Sequence, residues 1–166
     1  LDKPAGLLSV ESDDERLSAY YIAEEYLRQK GKNERAYVLH RIDKETSGVL
    51  AFAKDIKLHS MLRMRWNELV EKREYYAVIS GVFEEKSGEI VSFLKEDKNH
   101  LVYCVSPREG KRAVTRYETV CENGKYSLLR VEIDSGRKNQ IRVAMKAAGH
   151  PVVGDDKYGL VCLSVP

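Results

Sequence analysis

From residue 75 to residue 133 the sequence sets short runs of β-branched and aromatic residues between turn formers, and this constrains the fold more than anything else in it. The runs are Tyr75 to Ser80, Ile90 to Leu94, Leu101 to Val105, Val114 to Cys121 and Tyr126 to Ile133. Lys86-Ser87-Gly88, Arg108-Glu109-Gly110 and Glu122-Asn123-Gly124-Lys125 separate several of them, and Asn-Gly between two alternating runs signals a hairpin. Val49 to Ala53 reads as a further, earlier strand. Helical spacing occurs in three places. One helix is expected near Ser12, with Glu15 as capping-box partner and Leu17, Tyr20, Tyr21 and Leu27 on one face before Gly31. Another begins near Asp55, where Leu58, Met61, Leu62, Trp66, Leu69 and Val70 form a stripe best explained as core packing. A last one spans Asn139 to Ala148, with Ile141, Met145 and Ala148 inward and Gly149 as its stop. The order of elements argues for an α+β domain on a largely antiparallel or mixed sheet, not a doubly wound parallel one.

A chain of 166 residues suits one domain, and with 43% hydrophobic and 33% charged residues it should fold. No apolar run approaches the roughly 20 residues of a membrane span, and the start lacks a signal-peptide pattern, so a soluble cytoplasmic protein is expected. Cys104, Cys121 and Cys162 lack the spacing of a zinc site or disulfide framework and read as buried or idle thiols. The net charge of +2 conceals a segment, residues 107 to 146, that carries +5 and leaves −3 for the remainder. That asymmetry permits a basic face for a polyanion, and equally a solvated surface.

Most catalytic patterns fail. The chain has no G-x-S-x-G elbow, no phosphate-cradling loop and no dinucleotide fingerprint, and its scattered histidines suggest no metal site. His59, at a helix start, reads as solvated or capping. Three polar clusters remain. His40-Arg41-Ile42-Asp43-Lys44-Glu45-Thr46-Ser47-Gly48 surrounds an aspartate with cations and hydroxyls that favour its charged form, or else is a turn whose Asp caps backbone amides. Arg73 to Gly81 opens a strand with adjacent tyrosines on opposite faces. Asp134 to Arg142 is a turn running into a helix, either a phosphate-binding helix start or an exposed basic cap.

Taken in this order, the clusters resemble the catalytic domain of the RluA-type RNA pseudouridine synthases. The likeness begins at Asp2-Lys3-Pro4-Ala5-Gly6-Leu7 and continues through His40-Arg41-Ile42-Asp43 with Thr46-Ser47-Gly48, then Arg73-x-Tyr75-x-Ala77 with Gly81. It takes in Gly136-Arg137 with Gln140-Ile141-Arg142, and closes on Gly149-His150-Pro151-Val152-Val153-Gly154-Asp155 and Tyr158-Gly159. The resemblance implies the pseudouridine synthase fold, with a central RNA-binding cleft, and isomerisation of a flipped-out uridine in ribosomal or transfer RNA without cofactor or metal. Asp43 matches the family carboxylate, the nucleophile, which attacks ribose C1′ or uracil C6 or stabilises charge while the glycosidic bond breaks. Arg142 matches the arginine that pairs with it, Tyr75 the tyrosine that stacks on uracil, and Ile141 the apolar residue on the base's other side. Arg41 is implied as the group that enters the RNA or touches the displaced base, and His40, Arg137 and Gln140 are expected to bind substrate. A monomer is expected.

The sequence departs from the family at Lys138-Asn139, where Thr/Ser-His is frequent, and at Ala144, where a His is common, which bears on substrate preference. It starts inside the family's first strand, lacks the small N-terminal RNA-binding domain, and at Leu160 to Pro166 leaves the usual closing segment, so truncation at both ends is expected. The rival readings are a non-catalytic RNA-binding domain that keeps the fold and a carboxylate-based nucleosidase.

Overall fold

In a computed structural model, which describes residues 1–31 and 34–159, the first helix starts later than its capping signal suggests. After a short strand β1 (Asp2–Lys3), α1 spans Ala19–Gln29, and its cap is Ser18, whose side chain accepts from the Tyr21 amide at 3.0 Å. Ser12 and Glu15 do bond as a capping pair, at 3.2 Å, yet they close only an isolated turn. The reason lies in the backbone: the amides of Ala19 and Tyr20 are taken by the carbonyls of Leu8 and Ser9, which keeps the preceding segment out of the helix. The helix therefore buries Ala19 and Leu27, while Leu17 and Tyr21 are exposed.

The expected strand over Val49 to Ala53 is split. β2 (Tyr37–Val38) pairs with β4 (Phe52–Ala53), whereas β3 (Gly48–Val49) pairs with β1. Leu50 bonds Leu1 through both of its backbone groups and Ala51 accepts from Leu39, so the chain changes partner between these two residues. Asp55 then caps α2 (Ile56–Met64), accepting from the Leu58 amide at 2.8 Å, and α3 (Trp66–Leu69) follows at once. Neither helix buries a residue: Leu58, Met61 and Leu69 are exposed, and Leu62, Trp66 and Val70 only half-buried. The core packing expected of that stripe is not what forms, because α2 rests on β2 and β4, each two residues long and too small to cover it. His59 is neither cap nor solvated; its ring bonds the Val38 carbonyl at 3.1 Å and lies against Tyr37.

These elements make up one of two compact units, Leu1–Glu71; the other runs from Lys72 to Pro166. In the second, alternation decides everything. β5 (Glu74–Ser80), β6 (Ser87–Glu96), β7 (Val102–Cys104), β8 (Lys111–Glu122) and β9 (Tyr126–Ile133) form a five-stranded antiparallel sheet in the order β5-β9-β8-β6-β7. The Asn123-Gly124 hairpin forms as expected, with Asn123 Oδ1 accepting from the amides of Lys125 and Tyr126. One face carries Ala77, Ile79, Leu129, Val131 and Ile133, all buried against Met145 of α4 (Gln140–Ala147). Val143 of the same helix enters a second cluster with Leu94, Val102, Ala113 and Tyr158. The helix buries Gln140, Val143, Ala144 and Met145, while Ile141 is half-buried.

Gly149, at φ +84°, ends α4 as the sequence suggests, in a left-handed conformation that other residues rarely adopt. The chain then returns to the edge of β5, where Ser80 donates to Pro151 and Val153 to Val78. Among the described residues, no helix is long and apolar enough to cross a membrane. Cys104 and Cys121 are exposed rather than buried, and Cys162 lies outside the described residues.

Candidate functional site

In the N-terminal unit, Asp43 sits half-buried on a loop whose backbone is anchored on both sides. Before it, Ser9 Oγ donates to the Ile42 carbonyl at 2.6 Å and accepts from the Ile42 amide at 3.1 Å. After it, the Lys44 carbonyl accepts from the Gly6 amide and from the Lys3 ammonium, both at 2.9 Å. That ammonium also donates to the carbonyls of Pro4 and Leu7, and the lysine is 0% exposed. Burial pushes its pKa down, opposed by the negative charges of Glu45 and Asp43. A buried cation thus ties the Asp43 loop to the segment after β1. Within the loop, the Thr46 amide closes a turn on the Asp43 carbonyl at 3.1 Å.

The neighbours of Asp43 divide between scaffold and surface. His40 Nε2 accepts from the Ala51 amide at 3.0 Å and its ring stacks on Trp66 with centroids 5.2 Å apart, so this histidine and the half-buried Trp66 brace the loop's approach. The acceptor role of Nε2 puts the proton of the neutral ring on Nδ1. Arg41 is exposed. Lys44, expected as a cation beside Asp43, instead bonds Glu15 at 2.6 Å.

In the C-terminal unit, Tyr75 stands on β5 in register with Val131 of β9, which is in turn opposite Tyr117 of β8. Alternation sends Tyr75 to the face that carries Ala77 and Ile79, and Tyr76 to the outer face, where it is exposed. Tyr75 and Ile141 both lie half-buried against the same apolar cluster. They form the rim of a core, an apolar surface suited to the face of a base.

Arg142, one position on, forks onto Asp155: Nε to Oδ2 at 2.7 Å and Nη2 to Oδ1 at 2.6 Å. The carboxylate is 2% exposed and the guanidinium 18%. Burial alone raises the Asp155 pKa, but the hydrogen bonds from Arg142, Tyr158 and Lys157 outweigh it and hold the carboxyl below its ordinary value. Gln140 is turned inward, 2% exposed: its amide donates to the Val114 carbonyl, and its oxygen accepts from Ser135 Oγ and the Arg137 amide. It holds the turn that precedes α4, while the Arg137 side chain is exposed.

The basic segment is less basic than its count. Arg116, Lys138 and Arg142 each face a carboxylate from outside the segment, Glu89, Glu96 and Asp155, so three of its five surplus charges are spent on ion pairs. Among the described residues, no cluster of His, Cys, Asp and Glu is placed to hold a metal. Lys3, Ser9 and Asp155 are the contributors to which sequence reasoning gave no role. Asp155 had a local signal, an Asp whose side chain can cap the amides two and three residues on, as it does for Lys157 and Tyr158.

The family described as RNA pseudouridylate synthase matches residues 1–147. Ribosomal large subunit pseudouridine synthase D of Borreliella burgdorferi is 36% identical, over 97% of this chain and 52% of that protein. Dual-specificity RNA pseudouridine synthase RluA of Vibrio cholerae is 35% identical over 95% and 63%, and tRNA pseudouridine synthase C of Haemophilus ducreyi 33% over 96% and 69%. The chain spans about half the length of the first of these relatives. The solved structure of human RNA pseudouridylate synthase domain containing 4 shares the fold, with a TM-score of 0.80 at 22% identity over 97% of this chain and 65% of that one.

Proposed function

This chain belongs to the RNA pseudouridylate synthase family, and from that premise we propose that it isomerises a uridine in ribosomal or transfer RNA to pseudouridine, with Asp43 as the catalytic carboxylate. The observation that carries the reading is the family match across residues 1–147, within which Asp43, Tyr75, Ile141 and Arg142 all fall. The two RNA classes are those for which the relatives are named.

The chemistry suits the residues. A carboxylate displaces N1 from ribose C1′ and leaves again when C5 of the turned base bonds C1′, or it adds to uracil C6 and is eliminated once the C1′–N1 bond has been exchanged for C1′–C5; in either case C5 then gives up its proton. The composition of the nucleotide is unchanged: the C5 hydrogen leaves to solvent as a proton, and N1, freed from ribose, takes one up. Tyr75 and Ile141 supply apolar faces for the uracil, and Tyr75 carries a phenol that can take part in the late proton removal. Arg142 is the guanidinium that the family resemblance pairs with the carboxylate, and Arg41, exposed beside Asp43, is the group that meets the RNA where the base has left its stack. Unstacking costs on the order of a few kcal/mol, which contacts of this kind offset.

The test is release of tritium from RNA labelled at uracil C5. The expected result is time-dependent release with no free uracil. RNA binding without release favours a binding domain, and free uracil favours a nucleosidase; either overturns the synthase reading.

A further inference from the structure

Arg142 is held on one edge by a bidentate ion pair, and the group that holds it has no part in the chemistry described above. Both oxygens of Asp155 engage its Nε/Nη2 edge, at 2.7 and 2.6 Å. Two parallel bonds to a planar fork fix rotation as well as position, which a single contact does not. Asp155 is itself immobilised. Its Oδ1 accepts from the amides of Lys157 at 3.0 Å and Tyr158 at 2.9 Å, and its carbonyl accepts from Gly159 at 2.8 Å.

Tyr158 closes the arrangement from a second direction. Its ring lies 5.1 Å from Arg142 Cζ, and its hydroxyl accepts from the Val102 amide at 3.0 Å and donates to Asn139 Oδ1 at 3.2 Å. The holder of the guanidinium is therefore tied to β7 and to the residue that caps the helix carrying Arg142. A pair on an exposed surface gains little and leaves its partners mobile. Here the carboxylate is 2% exposed, and Tyr158 ties its turn to β7 and to the start of α4.

We propose that Asp155 is a positioning residue for uridine isomerisation: it fixes the orientation of the Arg142 guanidinium, and turnover depends on that orientation and not on the arginine's charge alone. The proposal rests on the synthase reading. Tyr158 acts with Asp155 as the second wall of the holder.

Asp155→Asn is the informative change. Asparagine keeps an oxygen at Oδ1 for the Lys157 and Tyr158 amides, so the turn survives, but it sets an NH2 group against Arg142 Nε–H, donor against donor. In single-turnover tritium release from 5-tritiated ribosomal and transfer RNA, the rate falls about 100-fold, the loss expected from a misplaced catalytic group. RNA affinity stays within about threefold, because binding does not use the fork. Asp155→Glu, which keeps the charge, gives an intermediate rate and carries the test if the asparagine variant does not fold. In an Arg142→Lys background, Asp155→Asn adds little further loss, since the lysine has no fork left to orient. The Nε–H resonance of Arg142, assigned by its disappearance in Arg142→Lys, exchanges slowly in the parent and rapidly in Asp155→Asn.

An active parent whose folded Asp155→Asn variant keeps its rate within about twofold overturns the proposal alone. So does an equal loss in the Arg142→Lys background, or a rapidly exchanging Nε–H in the parent. A parent that binds RNA and releases no tritium overturns the synthase reading, and this proposal with it.

Discussion

The two units hold their candidate site residues in different ways. In the C-terminal unit, Tyr75 and Arg142 stand on β5 and α4, long elements whose faces are fixed by alternation and helical spacing over an apolar core. In the N-terminal unit the strands are two residues long, and the loop that carries Asp43 is held at its Ile42 and Lys44 carbonyls by the Ser9 hydroxyl, the Gly6 amide and the Lys3 ammonium. One unit positions by packing and the other by donors aimed at carbonyls. Packing draws on many apolar contacts at once, whereas the loop depends on a few named donors.

The largest effect expected is at Asp43 itself. Asp43→Asn lowers tritium release by at least about 1,000-fold while melting temperature and RNA affinity hardly change. A normal rate in this variant removes Asp43 from its assigned role. Next in size is the packed unit's core: Ile79→Ala, at a site with 0% exposure, costs about 2–5 kcal/mol in urea unfolding. Little loss there contradicts a unit held by packing.

The donor-held unit is probed by Lys3→Met, which keeps the volume and removes the ammonium. Leaving the carbonyls of Pro4, Leu7 and Lys44 short of a donor costs about 2–3 kcal/mol and speeds hydrogen exchange at the Gly6 and Thr46 amides. Exchange that speeds equally across β5 and β9 means global loosening, and removes the distinction between the units.

A smaller effect follows from pH. The folded Asp155 carboxyl lies below the ordinary aspartate value of 3.8, so the unfolded chain takes up its proton first as pH falls. The stabilisation is whole above that value and is lost as pH drops through the folded one. The stability gap between the parent and Asp155→Asn is therefore widest above about pH 4 and closes in stronger acid. Parallel curves down to pH 2 contradict the buried ion pair. Smallest of all is the outer face of the sheet, where the exposed Arg130 and Glu118 pair: Arg130→Ala leaves the melting temperature unchanged.

The same contrast explains what the sequence discloses. The four long strands β5, β6, β8 and β9 and helix α4 are legible because period-2 and period-3.6 patterns survive in elements of eight residues or so, and the Asn123-Gly124 turn announces itself. Asp43, Tyr75, Ile141 and Arg142 are legible only through family resemblance, since no spacing rule singles them out. Ser12 misleads because a capping box is a local signal, and the amides of Ala19 and Tyr20, which a helix running on from Ser12 would use internally, bond Leu8 and Ser9 instead. The stripe from Leu58 to Val70 misleads for the opposite reason: amphipathicity shows that a face is apolar, not that anything large enough lies beneath it. Lys3 is legible as part of the family's opening element but its role is not, because three carbonyls converging on one ammonium belong to the folded loop and not to any sequence pattern.

The central claim, that this chain makes pseudouridine, is tested most directly by the nucleosides themselves. Ribosomal and transfer RNA lacking modifications is incubated with the chain, digested completely and separated by chromatography. The account predicts a pseudouridine peak that grows with time at the expense of uridine, with no free uracil, and no such peak with Asp43→Asn. Unchanged uridine with every RNA, from a chain that is folded and binds those RNAs, contradicts it.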